Sequence, residues 1–153
     1  MASLRTAKQR IFLGAAADES LRTKRVAVVG LGATGSVQAA WLARAGVGHL
    51  TLIDRDQVDR SNLQRQILYL DADVGRLKAE VAAERLRAAN PEPDYTPLVA
   101  DLTSGNAREL LSGFDLILDG SDNFEARFLI NVFFNDTATT EIYTMSLNEK
   151  SRI

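Results

Sequence analysis

Unbroken apolar runs recur along the chain and are separated by stretches with helical spacing. The runs lie at residues 26–29, 50–53 and 114–119, and 95–100 is a weaker candidate. Strands of a parallel sheet are buried on both faces, so they show continuous apolar runs instead of strict alternation. The pattern therefore predicts four strands in one mostly parallel sheet.

Helical spacing fills the intervals between these strands. Helices are predicted at residues 18–24, after the glycines of 30–35, at 75–89, at 106–111 and after 123. In the second of these, Val37, Ala40, Trp41 and Ala45 recur at helical spacing, and we expect Trp41, like Phe114, in the core. Strands that alternate with helices are typical of an α/β doubly wound, Rossmann-like domain.

Composition narrows the class of protein and the chemistry open to it. The 153 residues are 46% hydrophobic and 25% charged, with a net charge of −2, as in an ordinary cytoplasmic domain. Nothing in this balance attracts nucleic acid or a membrane, and no apolar run is long enough to span one. The chain has no cysteine and one histidine, His49, which excludes thiolate nucleophiles and zinc sites built on cysteine. His49 is interpreted as a loop residue without a role.

A glycine-rich turn follows the first strand directly and leads into a helix. Gly30 allows the tight turn, Gly32 lets the backbone approach a phosphate, and Gly35 lets the helix pack on the strand. Asp54 ends the next strand, where an acid can accept hydrogen bonds from ribose hydroxyls. The pattern predicts a nucleotide site, although an NAD-dependent oxidoreductase has the same fingerprint and a turn without a ligand remains an alternative.

The polar connection at residues 54–66 favours a triphosphate. Arg65 can grip phosphate oxygens with its forked guanidinium, Asn62 can orient them, and Lys78 on the next helix can neutralise them. The alternative is a solvated polar loop, which is what most charged loops are.

Four stretches together resemble the ThiF/MoeB/HesA family of adenylyltransferases, which are relatives of ubiquitin-activating enzymes. They are Val-Gly-Leu-Gly-Ala-Thr-Gly at 29–35, Ala-Gly-Val-Gly-His-Leu-Thr-Leu-Ile-Asp-Arg-Asp at 45–56, Ser-Asn-Leu-Gln-Arg-Gln at 61–66 and Ser-Asp-Asn-Phe-Glu-Ala-Arg at 121–127. The resemblance implies adenylation of the C-terminal glycine of a ubiquitin-like sulfur-carrier protein, with ATP and Mg²⁺ as cofactors and a homodimer as the assembly. Related alternatives are a tRNA threonylcarbamoyladenosine dehydratase and an inactive fragment.

The same resemblance assigns residues to roles. It implies nucleotide contacts from Gly30, Gly32, Ala33, Gly35, Asp54, Asp56, Ser61, Asn62, Arg65, Gln66, Lys78, Asp122 and Asn123. Arg65, Lys78 and Asp122 are the expected catalytic residues, and Asp122 the expected magnesium ligand. A role for Asp122 as a turn residue and helix cap is the alternative.

Two parts of the chain depart from the family pattern. The family's N-terminal Arg-Gln pair, whose arginine reaches the neighbouring subunit's ATP, is Lys8-Gln9 here, and Arg5 or Arg10 are possible substitutes. Residues 1–131 are therefore interpreted as the adenylyltransferase domain and 132–153 as an atypical tail, which resembles translated sequencing-adapter read-through. We expect this tail to leave one edge of the sheet uncovered.

Overall fold

The structure, a computed structural model, describes residues 4–136 and 141–143. Five strands form one sheet in the order β3-β2-β1-β4-β5, and all neighbouring pairs are parallel. The strands are β1 Arg25–Val29, β2 His49–Ile53, β3 Asp94–Leu98, β4 Leu116–Asp119 and β5 Glu141–Tyr143. This arrangement confirms the doubly wound α/β fold and the four predicted strands.

Helices cover both faces of the sheet. They are α1 Ala7–Leu13, α2 Ala15–Thr23, α3 Ala33–Ala45, α4 Lys78–Ala89, α5 Ala107–Leu111 and α6 Phe124–Asp136. Successive side chains of a strand point to opposite faces. Val26 and Val28 of β1 accordingly join the core beneath α3 and α4, whereas Ala27 and Val29 join the core beneath α5 and α6.

The predicted helices are confirmed with shifted bounds, and α1 was not predicted. Helix α4 begins at Lys78, three residues after the predicted start at Gly75. Gly75 has a φ of 87°, and Leu77 pairs with Gln57 in an isolated antiparallel bridge. Residues in these conformations cannot continue a helix toward the N-terminus, so α4 starts only after them.

The prediction that Trp41 is buried is wrong, because this side chain is 70% exposed. The inner face of α3 carries small side chains instead, at Ser36, Ala39, Ala40 and Ala43. Phe114 is half-buried against the α5–α6 side of the core. His49 is the first residue of β2 and not a loop residue, and its Nδ1 lies 3.2 Å from Asp94 Oδ2.

The stretch from residue 132 onward is only partly within the described residues. Helix α6 continues through the predicted boundary at 131 to Asp136, and β5 pairs with β4, from Glu141 beside Leu116. The expectation that this edge of β4 stays uncovered is therefore wrong. The separate status of 132–153 remains a prediction. Among the described residues, no helix has both the length and the apolar character that crossing a membrane requires.

Candidate functional site

The carboxyl ends of β1 and β4 open onto a cavity of about 390 Å³. The chain continues from β1 to β2 on one side, while β4 flanks β1 on the other, so the strand order reverses at this point. Ligands of doubly wound sheets bind where this reversal leaves a crevice. The cavity volume lies in the range of small-molecule sites.

All but two of the predicted nucleotide contacts line this cavity. They are Gly30, Gly32, Ala33, Asp54, Asp56, Asn62, Arg65, Gln66, Lys78, Asp122 and Asn123. Gly35 and Ser61 are not among the lining residues. The Ser61 hydroxyl donates instead to Asp59 Oδ1 at 2.6 Å, within its own loop.

The three glycines of the loop occupy their positions for different structural reasons. Gly30 has a φ of 82°, and a Cβ there would lie 2.7 Å from the Ser121 backbone nitrogen. A Cβ on Gly35 would lie 1.8 Å from the Gly30 carbonyl oxygen, so Gly35 brings helix and strand together as the sequence predicts. A Cβ on Gly32 would meet only the Gln66 amide nitrogen, at 3.7 Å. The protein itself therefore leaves room at Gly32, on the cavity side.

Asp54 is held from two directions at the end of β2. Its Oδ2 accepts a hydrogen bond from the Leu31 N–H at 2.7 Å, and its Oδ1 accepts one from the Asp56 N–H at 2.8 Å. Burial raises the pKa of Asp54 above its ordinary value, against the lowering effect of these two bonds. Each carboxylate oxygen can accept a further bond, so the arrangement still fits a ribose hydroxyl.

Four cations line the cavity, and they differ in their partners. Three of them pair with carboxylates, in the pairs Arg55–Asp101, Lys78–Asp56 and Arg127–Asp119. Arg65 has no carboxylate partner within the part of the chain that the structure describes. Its guanidinium donates to Asn62 Oδ1 at 3.0 Å and to the Ser61 carbonyl at 3.4 Å. Arg65 can therefore bind an anion without first breaking an ion pair.

Two nearly buried polar side chains, those of Lys78 and Gln66, line the cavity together with Arg65. Lys78 is 5% exposed, and its Nζ lies 3.2 Å from Asp56 Oδ2. Gln66 is 4% exposed, and its Oε1 has no hydrogen-bond partner among residues 4–136. Because a buried acceptor without a donor is unfavourable, Gln66 is suited to a polar ligand in the cavity.

The opposite wall contains an ion pair that the sequence did not predict. Asp119 ends β4 and is almost fully buried; it accepts hydrogen bonds from the Ser121 N–H and hydroxyl and from Arg127 Nε at 3.2 Å. Arg127 also donates to the Ser121 carbonyl at 3.4 Å, so it fixes the turn that precedes α6. The signal was present, since Arg127 closes the motif at 121–127.

The sequence left open whether Asp122 binds a ligand or caps helix α6. In the structure, the neighbouring Asn123 is the residue that caps α6. Asn123 Oδ1 accepts a hydrogen bond from the Glu125 N–H at 2.9 Å and so caps α6. The Asp122 carboxylate lies exposed at the cavity and makes no hydrogen bond or ion pair within the described residues. Capping therefore does not account for Asp122.

The site suits a magnesium ion bound by one carboxylate and by phosphate oxygens better than a metal ion bound by protein side chains alone. The described residues contain no group of three or more histidine, aspartate or glutamate side chains placed to hold a metal. Mg²⁺ is usually bound by one or two carboxylates together with phosphate oxygens and water. Asp122 can be such a carboxylate, whereas Asp119 is almost fully buried and already paired with Arg127.

The N-terminal cations lie outside the cavity. Arg5 Nη1 donates to the Ala89 carbonyl at 2.9 Å, and Gln9 Nε2 to the Ala45 carbonyl at 2.9 Å, which ties α1 to the domain. Lys8 and Arg10 do not line the cavity either. Whether one of these cations serves a neighbouring subunit remains a prediction.

Comparison with known proteins decides the family. The model of the ThiF family matches residues 6–153. The chain belongs to the ThiF family. This membership confirms the resemblance inferred from the four motifs.

Curated relatives of this ThiF-family chain are named as adenylyltransferases or, in one case, as an activating enzyme. The chain is 49% identical over 119 residues to the adenylyltransferase and sulfurtransferase uba4 of Aspergillus terreus, covering 78% of the chain and 25% of the relative. It is 45% identical over 111 residues to the SAMP-activating enzyme E1 of Haloferax volcanii, covering 72% and 41%. It is 42% identical over 131 residues to the sulfur carrier protein ThiS adenylyltransferase of Bacillus subtilis, covering 83% and 39%. The chain thus spans less than half the length of these relatives.

Solved structures share the ThiF-family fold. The E. coli tRNA N6-threonylcarbamoyladenosine dehydratase TcdA in complex with ATP superposes with a TM-score of 0.87 at 33% identity, covering 92% of the chain and 58% of that structure. E. coli MccB with ATP superposes with a TM-score of 0.77 at 26% identity, covering 83% and 38%.

Proposed function

We propose that this chain forms the ATP-binding part of an enzyme that adenylates the C-terminal glycine of a ubiquitin-like sulfur-carrier protein. The observation that carries the proposal is the wall made of Arg65, Asn62 and Gln66 beside the glycine loop. Among the described residues it offers an arginine without an acidic partner and, beside Gly32, the Gln66 amide nitrogen; both are donors from which phosphate oxygens can accept. A triphosphate needs such a cluster, whereas a nicotinamide dinucleotide does not.

The reaction needs positioning and charge neutralisation, and no protein nucleophile. A carboxylate oxygen of the carrier attacks the α-phosphorus of ATP, the bond from that phosphorus to the oxygen shared with the β-phosphate breaks, and pyrophosphate leaves with this oxygen. Asp54 holds the ribose, and Arg65 and Lys78 neutralise the leaving phosphates. Asp122 would hold magnesium, which would supply further positive charge to the leaving phosphates. A chain without cysteine is compatible with this step.

A second candidate function uses the same site. The TM-score of 0.87 with TcdA favours a tRNA threonylcarbamoyladenosine dehydratase, which also requires ATP chemistry. The Leu-Gln between Asn62 and Arg65 favours the sulfur-carrier activators, as do the names of the curated relatives. The two candidates differ in the macromolecule on which ATP acts, which is a carrier protein in the first and a tRNA in the second.

Calorimetric titration with ATP and magnesium, and separately with NADH, tests the nucleotide. We expect selective ATP binding that Arg65→Ala weakens by about tenfold or more, because a charge-assisted hydrogen bond is lost. Arg60→Ala is the matched control, since Arg60 lies in the same loop, pairs with Asp71 at 3.3 Å and does not line the cavity. Binding of NADH alone would identify an oxidoreductase instead, and binding of neither nucleotide would indicate an inactive fragment.

Pyrophosphate exchange tests the acceptor. Labelled pyrophosphate should enter ATP only when a carrier protein ending in glycine is present, because exchange requires reversible formation of the acyl-adenylate. A carrier that lacks its last glycine is the control. Exchange that depends on tRNA and not on the carrier would favour the dehydratase.

A further inference from the structure

Tyr69 is a buried residue to which the proposed reaction assigns no role. It lies in the connection between β2 and α4, is 4% exposed, and its hydroxyl donates to the Leu31 carbonyl oxygen at 2.9 Å. Leu31 is fully buried and lies between Gly30 and Gly32, in the middle of the glycine loop. A side chain 38 residues further along the chain therefore holds this loop.

The hydrogen bond from Tyr69 sets the direction of the next N–H. The peptide unit between Leu31 and Gly32 is trans. In a trans peptide unit the C=O and the N–H point in opposite directions. Because the Leu31 oxygen turns toward Tyr69 in the core, the Gly32 N–H turns away from the core, and Gly32 lines the cavity. Within residues 4–136, the Gly32 N–H has no acceptor.

The backbone N–H of Leu31 is fixed as well. Its N–H donates to Asp54 Oδ2 at 2.7 Å, so both polar backbone groups of Leu31 are bound to side chains. Rotating the Leu31–Gly32 peptide would leave a buried carbonyl and a buried hydroxyl without partners, which is unfavourable. The loop is thus held in one orientation before any ligand arrives.

We propose that Tyr69 is a positioning residue for nucleotide binding: its hydroxyl holds the Leu31–Gly32 peptide so that the Gly32 N–H donates to a phosphate oxygen of ATP. This inference rests on the proposed function. A phenylalanine could fill the same space in the core, and the only hydrogen bond of the tyrosine hydroxyl in the described structure goes to Leu31. Burial, with the charge of Asp54 nearby, raises the pKa of Tyr69, so the hydroxyl stays protonated and remains a donor.

Tyr95 provides a matched control. It is 6% exposed, and its hydroxyl donates to a backbone carbonyl, that of Asn90, at 2.8 Å. Tyr95 does not line the cavity. Tyr69→Phe and Tyr95→Phe therefore remove the same kind of buried bond, but only the first touches the glycine loop.

The test measures the affinity of both variants and the unchanged chain for magnesium-ATP and for adenosine. We expect similar small decreases in Tm for the two variants. Only Tyr69→Phe should weaken ATP binding, by about tenfold, with adenosine affinity unchanged, because one hydrogen bond to a charged phosphate is lost. Equal ATP affinity of the two variants would overturn the role of Tyr69 and leave the proposed function standing. If the unchanged chain bound ATP no more tightly than adenosine, the proposed function itself would be wrong.

A measurement on the unchanged chain covers the case in which Tyr69→Phe does not fold. The amide resonance of Gly32 in a sample labelled with ¹⁵N-glycine should shift downfield when ATP binds, as expected for a new hydrogen bond to phosphate. Adenosine should not produce this shift. ATP binding without a shift at Gly32 would contradict the inference.

Discussion

Gly35→Ala should destabilise the fold, whereas Gly32→Ala should weaken ligand binding, although the two glycines lie only three residues apart. At position 35, the new Cβ would lie 1.8 Å from the Gly30 carbonyl oxygen and 2.9 Å from its carbon. Both atoms are backbone, so neither can swing aside. At position 32, the new Cβ would touch only the flexible Gln66 amide, at 3.7 Å, and would project toward the cavity.

The expected magnitudes differ accordingly. Overpacking costs about 1–3 kcal/mol, and a clash between backbone segments lies at the upper end, so Gly35→Ala should lose about 3 kcal/mol. For a chain of this size that loss lowers Tm by roughly 6–12 °C. Gly32→Ala should change the free energy of unfolding by no more than about 1 kcal/mol, the size of a helix-cap effect. It should nevertheless weaken ATP binding by about tenfold or more, because the methyl group blocks the approach of a phosphate.

Thermal melts followed by circular dichroism measure the first effect, and calorimetric titration with magnesium-ATP measures the second. A Gly35→Ala variant with an unchanged Tm would show that helix α3 and β1 are not packed as described. A Gly32→Ala variant that binds ATP like the unchanged chain would refute the approach of phosphate at this glycine.

Four further substitutions test the packing and charges around the site. Leu86→Ala should lose about 2–5 kcal/mol in urea unfolding because Leu86 is fully buried, whereas Trp41→Ala should stay within about 0.5 kcal/mol. Burial alone would raise the pKa of Asp73, but hydrogen bonds from Arg85 and the backbone hold this pKa below its ordinary value. Asp73→Asn should therefore cost about 1–3 kcal/mol at pH 7, a difference that shrinks as the pH falls through the lowered pKa. Arg127→Met should cost about 3 kcal/mol in the same assay and weaken ATP binding, since it leaves the buried acid of β4 without its cation.

The strands were predictable because burial on both faces leaves a continuous apolar run. Which side chains of α3 face the sheet was only partly predictable. Hydrophobicity ranks Trp41 above its neighbours, but a helix that packs closely on a parallel sheet needs small side chains, and Ala39 and Ala43 fill that face. The start of α4 was missed because the bridge between Gln57 and Leu77 is a contact between distant residues.

The residues that line the cavity were predictable where they lie in one motif, as Asn62 and Arg65 do. The bond that holds the glycine loop was not predictable. The Tyr69 hydroxyl donates to the carbonyl of a residue 38 positions away, and an aromatic residue in a polar loop gives no local sign of such a bond. Ser61 shows the reverse case: its motif suggested a ligand contact, but the nearby Asp59 uses its hydroxyl and its N–H.

The position of β1 between β2 and β4 also bears on synthesis by the ribosome. Val26 pairs with Leu50 on one side, but its partner on the other side is Leu116, 90 residues later. At about 5–20 residues per second, one edge of β1 waits roughly 5–20 s for β4 to emerge. During that interval the glycine loop exists without Asp119, Asp122 or Arg127, and an unpaired apolar strand edge is exposed. We therefore expect a nascent chain of this protein to expose this strand edge until β4 emerges, and to acquire its complete cavity only near the end of the described sequence.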